Sequence, residues 1–170
     1  MKGRATVTAY IGLGSNQDRP IQQVRAAIDE LAALPETRVQ AASRLYRSAP
    51  LGPANQPDYI NAAVALDTGL APDALLAEMQ SLENRHGRVR GAVRWGPRSL
   101  DLDLLLYGDA TINTADLRVP HPGMSERLFV LYPLADIAPD LEVPGHGSVA
   151  TLLATCMPTR IEVLGESTDE

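Results

Sequence analysis

Apolar residues recur along this chain with two different periods, and the switches between them mark its elements. Residues 6–13, rich in Val, Tyr and Ile, predict a first strand, and Gly12, Gly14, Ser15 and Asn16 predict a tight turn after it. From Ile21 onward, Val24, Ile28, Leu31 and Leu34 fall on one helical face, with Pro20 near the first turn and Pro35 as the stop. Residues 38–46 predict a second strand. The stretch 48–57, SAPLGPANQP, is too rich in Pro and Gly for regular structure. A third strand is predicted over 59–66. A second helix is predicted from Pro72, with Leu75, Leu76, Met79 and Leu82 as its stripe and an end near Gly87. Residues 88–98 show no periodicity and are expected to form a mobile loop before another strand. Beyond lie a turn at VPHPG, helical runs at 128–136 and 149–156, a short strand at 161–164 and a frayed tail. The order βαββαβ predicts one α+β domain over residues 1–170, a mostly antiparallel sheet with helices packed on it.

The strand after the loop carries the most specific chemistry. In RWGPRSLDLDLLLYG (94–108), Asp101 and Asp103 are two residues apart, so a strand places both carboxylates on one face and Leu102, Leu104 and Leu106 on the other. Two carboxylates about 6.5 Å apart along a strand repel unless a cation lies between them. Mg²⁺ prefers such a pair completed by phosphate oxygens, and Arg94 and Arg98 supply planar forks that match phosphate. A DxD alone is equally a solvated strand edge; the flanking Arg94, Trp95 and Arg98 favour the metal and phosphate reading.

Composition narrows the ligand. A net charge of −6 argues against nucleic acid as a partner, while Arg85, Arg88, Arg90, Arg94 and Arg98 cluster in one short segment. That combination suits a small anion. No apolar run reaches the 18 residues of a transmembrane helix, and the N-terminal apolar stretch reads as a strand, not a signal peptide. The single cysteine, Cys156, fits a reducing cytoplasm and a small buried hydrophobe.

Other positions carry weaker signals. The GLG near the start lacks the lysine of a phosphate-binding loop and the third glycine of a dinucleotide fingerprint, so a tight turn is the better account. Gln80 and Glu83, at i and i+3, share a helix surface that either faces solvent or delivers polar groups beside the arginines. His121, between two prolines, is either an exposed turn histidine or, with Arg127 nearby, a donor to a phosphate or base. Tyr59 and Asn61 share a strand face, where a ring stacks and an amide reads the edge of a flat heterocycle; an ordinary core tyrosine is the alternative, as it is for Phe129. Three scattered histidines and one cysteine give no zinc spacing.

Five segments, AYIGLGSN, LYRSAPLGPANQPDYINAAVAL, LENRHGRVR, RWGPRSLDLDLLLYG and VPHPGMSERLFVLYPLADIAPDL, together resemble the 6-hydroxymethyl-7,8-dihydropterin pyrophosphokinase family in order and spacing over residues 6–141. The resemblance implies transfer of the β,γ-pyrophosphoryl group of ATP to the pterin hydroxymethyl group, with release of AMP, in folate biosynthesis. It implies a ferredoxin-like α/β/α sandwich acting as a monomer. By the same resemblance Asp101 and Asp103 bind two Mg²⁺ ions. Arg88 and Arg98 meet the phosphates, with Arg90 and Trp95 on the closing loop; Gln80, Glu83, His121 and Arg127 shape the ATP pocket. Tyr59 and Phe129 sandwich the pterin, with Trp95 closing over it, while Asn61 and backbone near Ser48 and Leu51 read its edge. The proton of the pterin hydroxyl could pass to Asp103, or a metal could lower its pKa. Gly123 and Ser125 stand where many relatives carry Arg and His, which removes charge beside the ATP pocket; Ala49 and Gln17 also depart from the usual residues.

Two other readings compete. A nucleotidyltransferase also carries DxD on a strand, but its Gly-Ser turn comes shortly before the carboxylates, and here Gly14 and Ser15 lie far upstream. A non-catalytic anion- or RNA-binding module would use the arginines but leaves the paired aspartates unexplained.

Overall fold

The computed structural model describes residues 5–17, 19–49, 56–87, 99–156 and 160–165. In chain order the elements are β1 (Val7–Ser15), α1 (Pro20–Ala32), β2 (Thr37–Ala42), β3 (Tyr46–Ser48), β4 (Tyr59–Thr68), α2 (Pro72–Arg85) and β5 (Asp101–Tyr107). These are followed by β6 (Ile112–Asn113), β7 (Arg118–Val119), a 3₁₀ turn (Met124–Glu126), α3 (Leu128–Ile137), β8 (Glu142–Val143), β9 (Gly147–Ser148), α4 (Val149–Thr155) and β10 (Ile161–Val163). The main sheet runs β10-β3-β4-β1-β5, with β2 also on β4, and each of its pairings is antiparallel. No helix among the described residues is long and apolar enough to cross a membrane.

Period-two alternation divides the sheet between two cores, giving the α+β, α/β/α layering expected from the sequence. Ala9, Ile11 and Leu13 of β1 and Ile60, Val64 and Leu66 of β4 meet Ile21, Val24 and Leu31 of α1 and Leu75, Met79 and Leu82 of α2. On the opposite face, Ala63, Leu105 and Leu106 meet Leu131 and Leu134 of α3 and Val149 of α4. Each large side chain fully buried in this way contributes about 1.5–3 kcal/mol. Both long helices start on a first-turn proline, and Gly87 takes a left-handed φ of 85° just past the end of α2.

Three strand expectations change. The predicted strand over 38–46 is two strands, because Ser43 breaks the ladder: its Oγ accepts the Ala63 N–H at 2.9 Å, and the Arg44 N–H turns to Asp136 at 3.1 Å. Ser48, expected in irregular structure, closes β3. Leu106 does not share a face with Leu102 and Leu104. Ile11 pairs with Leu104 and Tyr10 with Leu106, so Leu105 is an extra residue, and the bulge sends both Leu105 and Leu106 into the second core. Cys156 is half-buried against that core.

A polar link ties α3 to the broken strand. Asp136 accepts hydrogen bonds from Arg44 Nε at 3.0 Å and Nη2 at 2.8 Å and from Tyr46 Oη at 2.7 Å, and the Tyr46 ring stacks on Tyr132 with centroids 6.1 Å apart. Burial and the bond to Asp136 push the Tyr46 hydroxyl up to about 12, so it stays a donor at neutral pH. Burial alone would raise the Asp136 carboxyl, but the bonds from Arg44 and Tyr46 outweigh it and hold it below the usual carboxylate range. A depressed folded-state pKa contributes stability above the unfolded value, about 3.9, that is lost as pH falls through the folded one. Asp136→Asn is therefore expected to lower the urea midpoint at pH 7 while the two proteins converge on acidification toward about pH 3; a constant difference across that range would refute the linkage.

Candidate active site

The site grows from three adjacent strands whose register is set by the cores beneath them. Gly14 of β1 pairs with Asn61 on one side and Asp101 on the other; Gly12 pairs with Ala63 and Asp103. Two cross-strand rows thus present an amide, a bare glycine and a carboxylate, then an alanine, a bare glycine and a carboxylate. Strands two apart in a sheet are about 9.6 Å apart, so the glycines leave a trough between Asn61 and the aspartates. A Cβ on Gly14 would lie 3.4 Å from Asn61 Oδ1 and 3.7 Å from Tyr59 Cδ1. Gly12 and Gly14 therefore belong to the strand and form the floor of a cleft. The expected tight turn is not there: β1 runs on through Ser15.

That cleft, open to solvent, is lined by Ser48, Tyr59, Asn61, Asp101, Asp103, Arg127 and Phe129, with Ala49 and the glycines. Ser48, Tyr59, Asn61, Phe129 and the two aspartates thus come together as expected. Asn61 is buried, and its Nδ2 donates to Ser48 Oγ at 2.6 Å, which directs Oδ1 over Gly14 as an acceptor. Arg127, expected among ATP-pocket residues, lines this cleft instead, with its guanidinium carbon 5.9 Å from the centre of the Phe129 ring. Gly123 makes that position possible: its φ is 85°, and a Cβ there would lie 3.1 Å from Arg127 Nη2.

A second, shallower cleft opens along β5. It is lined by Leu76 of α2, Leu102, Asp103 and Leu104 of β5, and residues 115–118, His121 and Pro122. Asp103 lines both clefts. His121 Nε2 stands 3.5 Å from Asp103 Oδ1, and this contact, ahead of the opposing effects of burial and Arg127, raises the imidazole pKa. The bulge helps place it: the carbonyl of the extra residue, Leu105, accepts the His121 N–H at 3.0 Å.

Of the helix pair, Gln80 is exposed, whereas Glu83 is buried and its Oε2 accepts the Leu102 N–H at 2.9 Å. β5 is an edge strand, and Glu83 satisfies an outward-facing donor located between the two aspartates. Neither residue lines the second cleft, so Glu83 acts here as a brace for β5. Arg88, Arg90, Trp95, Arg98 and Leu51 lie outside the described residues.

Asp101 and Asp103 fit a hard divalent ion. Among the described residues no group of three or more His, Cys, Asp and Glu side chains is placed to hold a metal. Two carboxylates on one face of a cleft, Asp103 with 49% of its side chain exposed, match the few-carboxylate, phosphate-completed coordination of Mg²⁺.

A family model described as 7,8-dihydro-6-hydroxymethylpterin-pyrophosphokinase (HPPK) matches residues 10–139. A 2-amino-4-hydroxy-6-hydroxymethyldihydropteridine pyrophosphokinase of Pseudomonas aeruginosa is 52% identical over 155 residues, 91% of this chain and 95% of that protein. Its counterpart in Haemophilus influenzae is 46% identical over 147 residues, covering 86% and 91%. Among solved structures, a wild-type Plasmodium falciparum HPPK-DHPS with pteroate superposes with a TM-score of 0.71 at 13% identity, over 90% of this chain and 45% of that one. Another HPPK-DHPS, in complex with substrates, gives 0.70 at 12% identity, over 88% and 43%. The chain spans less than half of these two solved chains, and at such identity they speak for the fold alone.

Proposed function

Since this chain belongs to the HPPK family, whose members transfer the pyrophosphoryl group of ATP to 6-hydroxymethyl-7,8-dihydropterin in folate biosynthesis, we propose that its two clefts hold the two substrates and that transfer takes place where they meet, at Asp103. The observation that carries this assignment is the sharing of one carboxylate by two clefts of different chemistry. The cleft with Tyr59, Phe129 and the Asn61 amide takes the pterin: the rings stack on it, and Asn61 Oδ1 accepts from its N–H edge. The cleft with Leu76, Leu102, Leu104 and His121 takes ATP, its apolar wall against the base and His121 near the phosphates.

Asp101 and Asp103 would hold magnesium, two ions in this proposal, which neutralises phosphate charge when bound. The chain's own groups do the rest. Holding both substrates against one strand replaces a bimolecular encounter by an oriented one. Glu83 keeps β5 in place from behind. His121 offers its imidazole N–H toward the phosphates, and Arg127 contributes positive charge from the pterin side. Arg88 and Arg98 join them as phosphate ligands, with Arg90 and Trp95 as further substrate contacts. The chain is taken to act as a monomer, as the resemblance implies, and its charge of −6 supports the absence of a nucleic-acid partner. A cytoplasmic site of action fits the folate-pathway role.

Phosphorus NMR of the protein with MgATP and the pterin tests the reaction directly. The expected products are AMP and the pterin diphosphate; release of free pyrophosphate, or no turnover, would sink the assignment.

A further inference from the structure

Asn16 lines neither cleft, yet its side chain is 1% exposed and its Nδ2 makes two long-range hydrogen bonds, to Gln56 Oε1 at 2.8 Å and to the Pro57 carbonyl at 3.1 Å. Both acceptors lie in the segment that leads into Tyr59. Among the described residues the strand ladders stop short of that segment: the pairing of β4 with β1 ends at Ser15–Ile60 and its pairing with β3 ends at Ser48–Tyr59. Pro57 has no N–H to contribute to a ladder, so its carbonyl is the main-chain handle, and Asn16 grips it from the end of β1. On the far side of the same segment, Asp58 is held by a bidentate pair from Arg160 at 2.8 and 2.6 Å. The amide is the stronger of the two grips, since leaving a buried donor without its acceptor is costly whereas an exposed ion pair is worth little.

We propose that Asn16 is a positioning residue for the pterin half of the reaction: through Gln56 and Pro57 it fixes the entry of β4, and so the place of the Tyr59 ring over the cleft. This rests on the assignment of the Tyr59 cleft to the pterin. Asn16 lines neither cleft and its bonds reach only the segment that leads into Tyr59, so its effect is expected on one substrate only.

The test compares steady-state kinetics of Asn16→Asp, Asn16→Ala and Tyr59→Ala in the full-length enzyme. Asn16→Asp keeps the shape but removes both donors and sets an oxygen against two acceptors; Asn16→Ala removes them without adding charge. For both, the KM for the pterin is expected to rise about tenfold or more, with kcat and the KM for ATP near parental values, a split that general destabilisation does not produce. Asn16→Ser, which retains one donor, is expected to recover part of the loss. A rise in the pterin KM for Tyr59→Ala without any in the Asn16 variants overturns the positioning role alone. No effect of Tyr59→Ala on the pterin overturns the cleft assignment beneath it. Loss of kcat and of both KM values together, or failure of both Asn16 variants to fold, makes Asn16 a stability residue and also overturns the proposal.

Discussion

Asp103→Ala is expected to fold like the parent and to lose about 10³-fold or more in kcat, the largest single effect anticipated anywhere in the chain. The expectation of an intact fold comes from its environment. About half of the side chain is exposed, its neighbours Leu102 and Leu104 carry the packing, and the backbone of β5 is held independently by β1 and by Glu83. Substitutions at such positions usually change stability by less than about 0.5 kcal/mol. The expectation of lost turnover comes from Asp103 lining both clefts: no other side chain faces both substrates and also belongs to the carboxylate pair. A second readout separates this reading from nonspecific damage. Asp103 is the main cause of the raised His121 pKa, so in the variant the imidazole should titrate at lower pH, as an NMR titration of its ring protons would reveal. Near-parental turnover would refute the metal-site assignment, and an unmoved His121 titration would refute the contact.

Gly14→Val is expected to abolish useful pterin binding while leaving the nucleotide site intact. Valine is a good strand residue, and the Gly14 backbone is extended within a ladder bonded on both sides, so folding should survive. The cleft should not. A Cβ at Gly14 already meets Asn61 Oδ1 at 3.4 Å and Tyr59 Cδ1 at 3.7 Å, and the two methyl groups of valine fill the trough above the floor. The heterocycle can then neither lie over the floor nor reach Asn61 Oδ1, and an unmade buried hydrogen bond costs about 1–3 kcal/mol beyond the lost stacking, which together correspond to roughly a hundredfold in affinity. Calorimetry with the pterin and a non-hydrolysable ATP analogue, each added separately, checks it: pterin affinity falls by about a hundredfold or more, and nucleotide affinity holds. Equal loss of both would show that the two clefts are not separate sites.

How much of this was legible in the sequence depended on whether a local period or a long-range register set the position. Asp101 with Asp103, and Tyr59 with Asn61, were readable because period two alone decides that each pair shares a face. The elements of the two long helices were readable from their stripes and prolines. Gly12 and Gly14 were misread as a turn because glycine is the usual turn residue. Their meaning appears only when β4 and β5 are known to flank β1, although the unbroken alternation of Ala9, Ile11 and Leu13 was a sign that the strand continued. The bulge at Leu105 and the break at Ser43 depend on partners across the sheet and left no local mark. The i, i+3 spacing of Gln80 and Glu83 leaves open whether Glu83 faces solvent or delivers a polar group, and its burial follows from its meeting an outward-facing edge N–H. Asn16 was hidden for the same reason: its partners lie 40 and 41 residues away.

The pairing of β10 with β3 makes the rim of the first cleft depend on contacts between distant parts of the chain. Ser48 stands opposite Ile161, the Ala49 N–H is bonded to the Arg160 carbonyl at 3.2 Å, and Arg47 and Glu162, also opposite one another, are 115 residues apart in sequence. The Ser48 wall of the cleft is thus held by a strand that follows the helices of both cores in chain order, so the cleft has its full wall only when these two distant segments have met.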